Sequence, residues 1–560
     1  MTAVPRDVHR LLYGPGEGDV VPLADTGLRL RVERSVTEPG EESLVGAGRN
    51  LRDGLGVRVG AARDSALDMV ITGAVIVDPV LGVIKADIGI KEDRIVGIGQ
   101  AGNPDISSGV DLVVDAQTQI VGGWNLIATP GSIDTHVHLA NAAQADTFCR
   151  NGYTTVIGAS PGPSFDVGVG GSWIYDSLVD GIGAWPLNIA MIGRAASARD
   201  DLEAHLEVGV SGFKIHEDFG AFPAVIDAAL RVSDDHDVQT IIHTDTINES
   251  VTLAETMDAI AGRTIHAYHV EGTGGGHAPD ILEICGEPNV LPSSTNPTNP
   301  YTEAALAEHL DMIMGAHLQH RSIHTDLAFA QSRIRPTTMA AEDVLHDVGA
   351  ISMMGSDSNG MGRAAESARR TWQLAAKMRD LGGEQPADDN ERILRYLEKY
   401  TWCPAVAHGI SDSVGTLAPG RLADIVLWDP RFFGVKPTTV VKSGVVSYAA
   451  TGTGNGSVVM TEPIRIRPQW GASGATSARL ARVFTSATGL AAAERRGASY
   501  LSRLLPVRGT RQLTKADMSR NAATPDVRVD PDSFVVTVDG VEAVVPPSTS
   551  VPLSRRYLLI

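Results

Sequence analysis

Cysteine and long apolar runs are both scarce in this chain of 560 residues. The three cysteines, Cys149, Cys285 and Cys403, form no CxxC pair. We therefore expect no disulfide framework, and a reducing compartment fits better than an oxidising one. No stretch approaches about 18 uninterrupted apolar residues, which excludes a membrane span. Residues 1–19 lack the basic and apolar segments of a signal peptide, so we predict a cytoplasmic protein.

Positive charge is also in deficit. The chain carries 47 basic and 67 acidic residues, a formal net charge of −20. Such a balance does not suit the phosphate backbone of nucleic acids, and it disfavours anionic membrane surfaces. We therefore expect neither nucleic acid nor membrane among the partners.

Short apolar runs that alternate with helical stretches predict an α/β fold. From about residue 131, candidate strands lie at 154–157, 187–192, 212–215, 240–243 and 263–266, with helices at 224–234 and 252–261 between some of them. Repeated βα units favour a (β/α)8 barrel of the TIM type, predicted for residues 131–412. Residues 1–130 and 413–480 predict one discontinuous β-sandwich domain, and residues 481–560 a mixed C-terminal segment.

Histidines at predicted strand ends indicate a metal site. His136 and His138 alternate on one strand, so both imidazoles point to the same face. Such a pair alone is a weak signal. Lys214 lies just inside another strand end, where burying an ammonium is costly without a partner. A buried lysine of this kind can react with CO₂ to form a carbamate, whose two oxygens could bridge two cations.

Later strands supply the other donors. His243, His266, His269 and Asp357 follow or end apolar runs. Because active sites of such barrels form where the strands end, these side chains predict a binuclear metal centre. The nitrogen and oxygen donor set suits nickel, zinc, manganese or iron equally well.

Several long strings of sequence carry a family resemblance. They include residues 133–138, 214–218, 269–280, 291–301, 341–347 and 432–437. Together they resemble the urease alpha subunit, a member of the metal-dependent amidohydrolases, over nearly the whole chain from Gly18 to Tyr557. The start at residue 1 favours a separate alpha chain over the fused plant type.

The resemblance implies a specific centre of two nickel ions. His136, His138 and Asp357 would bind one nickel, and His243 and His269 the other. Lys214, modified by CO₂ to the carbamate, would bridge them. The implied reaction is hydrolysis of urea to ammonia and carbamate.

The resemblance also implies roles around the metals. His216 would hydrogen-bond the urea carbonyl oxygen, and the backbone of Gly274 would accept a bond from a urea amine. A mobile flap is expected at the loop 314–320, in which His317 transfers a proton near Asp218 and Arg333. The implied partners are beta and gamma subunits in a trimer of heterotrimers, with accessory proteins that deliver nickel.

The chain departs from the family pattern beside the expected site. Ala316 stands where a flap cysteine is usual, and Gly360 replaces an expected alanine. Residues 139–146 and 158–172 also differ from the usual strings. Two alternatives therefore stay open: a paralogue that hydrolyses another small amide, ureido or guanidine compound, and a catalytically silent structural subunit.

Overall fold

The computed structural model describes residues 4–46, 48–61, 66–159, 168–216, 219–244, 251–271, 279–383, 386–451 and 464–554, together with Tyr557. No helix within these ranges has both the length and the apolar composition of a membrane span.

The elements follow one another in three groups. The first contains α1 (Arg6–Tyr13), β1 (Val20–Pro22), β2 (Arg29–Arg31), β3 (Arg34–Ser35), β4 (Met69–Asp78), β5 (Gly82–Lys91), β6 (Arg94–Gly99), β7 (Ala101–Gly102), β8 (Leu112–Val113), β9 (Gln119–Gly122) and β10 (Ile127–Pro130). The second contains β11 (Ser132–His138), α2 (Ala143–Arg150), β12 (Tyr153–Ala159), α3 (Ser172–Ile182), β13 (Asn188–Met191), β14 (Gly193–Arg194), α4 (Arg199–Val208), β15 (Gly212–Ile215), α5 (Pro223–His236), β16 (Gln239–His243), α6 (Leu253–Ile260), β17 (Ile265–Tyr268), β18 (Val290–Thr295), α7 (Ala305–Ala316), α8 (His324–Ser332), α9 (Pro336–Asp347), β19 (Met353–Gly355), α10 (Glu366–Leu381), α11 (Asn390–Glu398) and α12 (Trp402–Ala407). The third contains β20 (Ile425–Trp428), β21 (Pro437–Lys442), β22 (Val445–Thr451), β23 (Arg465–Pro468), α13 (Gly474–Leu480), β24 (Val483–Thr485), α14 (Ala487–Arg496), β25 (Leu504–Pro506), β26 (Val527–Val529), β27 (Val536–Val538) and β28 (Val541–Glu542).

Parallel strands of the second group close into a barrel. β11 pairs with β12 and β12 with β13, which continues after one residue as β14. From β14 the parallel ladder runs through β15, β16, β17 and β18 to β19. A parallel bridge between Val137 and Ser358 joins the end of β19 back to β11. Helices cover the outside, so these strands are buried on both faces and are rich in apolar residues. The predicted (β/α)8 barrel is confirmed.

A second, ten-stranded sheet adjoins the barrel and is built from two distant stretches of chain. Its long hairpin, β4 and β5, pairs antiparallel, and β10 lies parallel to β4 and antiparallel to β20. β21, β22 and β23 extend it to one edge. Besides the continuous chain, buried hydrogen bonds connect this sheet to the barrel. Asp424 accepts hydrogen bonds from Lys442 at 2.9 Å and from Asn188 of β13 at 2.9 Å, all three being buried.

The C-terminal segment packs back onto the barrel. β24 adds parallel to β13, and β25 to β24. Lys515 is fully buried, and its ammonium donates to the backbone carbonyls of Cys285, Ala350 and Ala523. Three carbonyl acceptors satisfy the buried cation and fasten the tail to two barrel connections.

Except for the strand at 212–215, the predicted bounds of barrel strands and helices differ from the observed ones by one or two residues. The strand predicted at 263–266 begins at Ile265 and ends at Tyr268. The helix predicted at 224–234 extends to Pro223–His236. Within the segment predicted as β-rich, β4 and β5 each run for 10 residues. The predicted domain bounds themselves stay a prediction.

Candidate metal centre

The first barrel strand presents two histidines to the barrel interior. His136 and His138 lie two residues apart at the end of β11, with ring centroids 5.5 Å apart. Both are buried. The carboxylate of Asp134, two residues earlier on the same strand, accepts hydrogen bonds from the backbone N–H of His136 at 3.1 Å and of Ser356 at 3.0 Å. This carboxylate therefore fastens β11 to the loop that follows β19.

That loop brings Asp357 against both rings. Its Oδ1 lies 3.0 Å from Nε2 of His138 and 3.3 Å from Nε2 of His136. The backbone at Asp357 is left-handed, with φ of 51°, a conformation that costs energy in a residue other than glycine. Burial favours the neutral carboxyl, but the facing His136, His138 and His269 rings hold the pKa of Asp357 well below its usual range.

Two neighbouring strands contribute a second histidine pair. His243 ends β16, and His269 follows β17 directly. Their Nε2 atoms are 2.9 Å apart, and Nε2 of His269 lies 3.7 Å from Oδ2 of Asp357. His269 has a φ of 52°. The left-handed backbone turns its side chain inward, whereas strict strand alternation from His266 would point it outward.

Lys214 and His216 complete the group. Lys214 lies on β15, is buried, and places Nζ 3.1 Å from Nε2 of His136. His216 follows the strand with its ring centroid 4.4 Å from that of His243. The structure thus brings together all six side chains that the resemblance implies as metal ligands, with His216 beside them.

The donor atoms of this cluster fit a metal. Two overlapping groups have ligand atoms within 4.8 Å of one another: His136 with His243 and His269, and His136 with His138 and Asp357. Burial lowers the pKa of His136 well below its usual range, which favours the neutral ring that a metal ligand requires. No described residue offers a hydrogen bond to Nδ1 of this ring. Imidazoles and one carboxylate suit a divalent transition metal.

Apart from His216, the predicted catalytic and substrate-binding residues lie at the ends of helices α7 and α8 or outside the described residues. Asp218 and Gly274 are the two outside the described residues. His317 follows the last residue of α7 and is exposed, and its Nδ1 donates to the carbonyl of Ile313 at 2.9 Å. No hydrogen bond or ion pair among the described residues joins His317 to the metal cluster. Arg333 is buried after α8, with its guanidinium carbon 3.9 Å from the centroid of the Phe329 ring.

The predicted flap is partly helical. Residues 314–316, expected in a loop, form the last turn of α7. α7 and α8 pack through a small apolar cluster of Ile313, Met314, Ala330 and Met361. The backbone N–H of Met361 donates to Oδ2 of Asp357 at 3.0 Å, so the base of the flap contacts the loop that carries a predicted ligand.

Sequence reasoning missed several supporting side chains. Asp134 could have been found, because it alternates with His136 on the same strand. Gln144 donates to the Ser358 hydroxyl at 2.6 Å, a contact across 214 residues that no local pattern signals. His266, grouped with the other candidate donors by sequence, faces away from the cluster: its Nδ1 lies 3.0 Å from Nε2 of His408.

Comparison with known proteins decides the family. The amidohydrolase family matches residues 127–459, and the urease alpha-subunit N-terminal domain matches residues 2–121. The urease subunit alpha of Sulfurisphaera tokodaii is 50% identical over 560 residues, covering 99% of this chain and 100% of that protein. The chain belongs to the urease alpha-subunit family. It is therefore a urease-type amidohydrolase, a hydrolase whose His and Asp cluster could bind metal.

Solved structures similar to this urease alpha-subunit homologue are more distant. A D-hydantoinase is 14% identical, with a TM-score of 0.49, covering 75% of this chain and 99% of that one. The L-hydantoinase (dihydropyrimidinase) of Arthrobacter aurescens is 15% identical, with a TM-score of 0.46, covering 71% of this chain and 100% of that one.

Proposed function

We propose that this chain is the catalytic subunit of a urease and hydrolyses urea to ammonia and carbamate at a centre of two nickel ions. The observation that carries the proposal is the convergence of four imidazoles, one carboxylate and one lysine at the strand ends of the barrel. The chain that holds them is 50% identical to a urease subunit alpha along its full length.

The proposed ligands divide into two sets. His136, His138 and Asp357 would hold one nickel, and His243 and His269 the other. Lys214, as the CO₂-derived carbamate, would bridge the two sets. Support comes from the buried position of Lys214 beside His136, the side chain common to both groups of converging donors.

When bound, such a metal pair polarises the substrate carbonyl and supplies a nucleophile at neutral pH. The surrounding side chains orient urea. His216, buried beside His243, would donate to the carbonyl oxygen of urea. The backbone of Gly274 would accept from an amine group. Both contacts fix a small, planar substrate that has few atoms to hold.

Proton transfer to the departing ammonia is assigned to His317. Because its Nδ1 donates to the carbonyl of Ile313, a neutral ring keeps its lone pair on Nε2, and protonation there creates the donor. Its exposed position requires the flap at residues 314–320 to close over the site, which would also exclude water. Asp218 and Arg333 would stand beside it in the closed state.

The relative named urease subunit alpha implies an assembly for this chain too. We propose beta and gamma subunits as its partners in a trimer of heterotrimers, accessory proteins that deliver nickel, and a cytoplasmic location.

One assay tests the reaction. The chain, co-expressed with its partner subunits and accessory proteins and loaded with nickel and bicarbonate, should release ammonia from urea. Metal analysis should give two nickel ions per chain, and intact mass analysis should find one CO₂ added at Lys214. A loaded protein with two metals that releases no ammonia from urea would overturn urea as the substrate. A single metal, or an unmodified Lys214 in active protein, would overturn the bridged centre.

A second candidate is hydrolysis of another small amide, ureido or guanidine compound. It is favoured by an altered wall of the site: Gly360, where the family pattern has alanine, places no side chain beside Asp357 and His138. Substrate discrimination depends on such pocket contacts. Ammonia release from a ureido or guanidino compound, with none from urea, would select this function. Release from no compound by fully metallated protein would select the silent subunit.

A further inference from the structure

Tyr268 packs against the predicted metal ligand His136, and the proposed reaction does not use it. It is the last residue of β17, immediately before His269, and only 2% of it is exposed. Its ring stacks on His136, with centroids 3.9 Å apart and planes 14° apart. Offset stacking of this kind fixes the plane of both rings.

The Tyr268 hydroxyl holds the backbone of β11, the strand that carries His136. It donates to the carbonyl of Thr135, the residue before His136. β17 and β11 are not neighbours in the barrel, since β11 pairs with β12 and lies next to β19. The side chain therefore spans the barrel interior and ties two strands that no backbone ladder connects.

The same ring also lies beneath Lys214. Nζ of Lys214 is 5.2 Å from the centroid of the Tyr268 ring and 3.1 Å from Nε2 of His136. From below, His266 meets Tyr268 edge-on at 4.8 Å and is itself bonded to His408 and Ser293. Packed on both sides, the Tyr268 ring has little freedom to move.

We propose that Tyr268 is the positioning residue of the metal centre: its ring fixes the plane of His136, and its hydroxyl fixes the strand that carries His136. The inference rests on the proposed function, because it requires the cluster to bind metal. His136 belongs to both groups of donors that could hold a metal, so its alignment governs both. Residues that orient a metal-binding imidazole change metal affinity by about 10–100-fold when they are replaced.

Two substitutions separate the ring from the hydroxyl. Tyr268→Leu removes both contacts and should weaken nickel binding by about 10–100-fold. Tyr268→Phe keeps the stacked ring and should restore most of that affinity. Nickel affinity is measured on the full-length protein by competition with a chelator, and the CO₂ adduct on Lys214 by intact mass. We expect the adduct to decrease together with nickel in Tyr268→Leu.

A matched control distinguishes positioning from packing. Tyr153 is equally buried on barrel strand β12, and its hydroxyl accepts from the backbone N–H of Ala368. Tyr153→Leu removes a similar volume and a similar hydrogen bond, and should lower the melting temperature without changing nickel affinity.

Two results would overturn the proposal. One is wild-type nickel affinity in Tyr268→Leu. The other is an equal loss in Tyr153→Leu, which would assign the effect to general packing. If Tyr268→Leu does not fold, Tyr268→Phe decides. A nickel affinity about 100-fold weaker in Tyr268→Phe than in wild type would contradict the role of the ring, because this variant keeps the stacked ring. Nickel affinity, adduct mass and melting temperature are all measured without turnover, so they are separate from a failure of wild-type protein to hydrolyse urea.

Discussion

The barrel of this urease-family chain contains two close histidine pairs with very different surroundings. At the strand ends, Nε2 atoms of His243 and His269 are 2.9 Å apart. Nearer the strand beginnings, Nδ1 of His266 is 3.0 Å from Nε2 of His408. The first pair faces the Asp357 carboxylate, whereas the second has the Ser293 hydroxyl as its further partner.

The difference teaches what turns buried histidines into a metal centre. Two neutral imidazoles satisfy each other with a single N–H···N bond, and Ser293 satisfies the remaining nitrogen of His266. Burial lowers the pKa of both His266 and His408, which we call the lower pair, and that of His408 falls to about 3. At the strand ends, which we call the upper cluster, additional imidazoles and the Asp357 carboxylate converge on the same space. More nitrogen and oxygen lone pairs meet there than N–H protons are available to hydrogen-bond with them. The lower pair is therefore structural, and the upper cluster can hold cations.

Removing one histidine from each end gives the largest expected contrast. His136→Ala deletes the donor shared by both groups of converging side chains. The variant should therefore bind fewer nickel ions per chain than the wild type. Activity should fall on the order of a thousandfold, because metals contribute several kcal/mol to such reactions. His408→Ala should retain both metals and lose about 1–3 kcal/mol of stability, since it leaves His266 without a partner. Nickel analysis and ammonia assays on both variants would refute the distinction if His408→Ala lost its metal too.

The lower pair also predicts a pH dependence of stability. His408 has a folded pKa of about 3, below the unfolded value of about 6.5, so the unfolded chain binds more protons between these values. The free energy of unfolding should therefore fall with decreasing pH, by about 1.4 kcal/mol per pH unit for this group.

The matched variant for this prediction is His408→Gln, measured as metal-free protein by denaturant unfolding between pH 4.5 and 6.5. Burial raises the pKa of Asp87 and Glu342 to about 7, which acts in the opposite direction in both proteins. The difference between wild type and variant removes that contribution. Identical slopes in the two proteins would show that the pKa of His408 is the same in the folded and unfolded states.

Much of the upper cluster could be predicted from sequence, and almost none of the lower pair. Predicted ligands follow short apolar runs, and parallel strands of a barrel end at the same face, so proximity in space follows from the fold class. His269 was separable from His266 only by resemblance, because a left-handed residue interrupts the alternation. His408 contacts His266 across 142 positions and lies after α12, where no local pattern reports the contact.

The flap shows the other limit of sequence reasoning. The strings around His317 predicted a loop, but apolar packing of Ile313 and Met314 continues the helix through Ala316. Whether a loop or a helix end carries the histidine depends on tertiary contacts with Ala330 and Met361 that the local sequence does not contain.

A smaller perturbation tests how closely the upper cluster is packed. A Cβ atom at Gly360 would lie 2.4 Å from Oδ1 of Asp357 and 2.9 Å from Nε2 of His138, so one of these side chains has to shift. Although alanine is usual at this position in the family, Gly360→Ala should weaken nickel binding in this chain by about tenfold, because Asp357 and His138 here pack against the bare glycine. Gly181→Ala, where a Cβ meets nothing within 4 Å, is the control. Equal nickel affinity in Gly360→Ala and wild type would show that the bound cluster is looser than this structure.

Thiol reagents should have the smallest effect at either end of the barrel. Cys149, Cys285 and Cys403 are at most 1% exposed, and burial raises the pKa of each thiol, that of Cys285 to about 12. Since the thiolate is the reactive form, a maleimide should leave activity unchanged on the folded protein. Ala316→Cys places a thiol at the end of α7, beside His317, and should make activity sensitive to the same reagent. Inhibition of the wild-type protein would mean that one of the buried thiols becomes exposed during turnover, and peptide mapping would identify which end of the barrel opens.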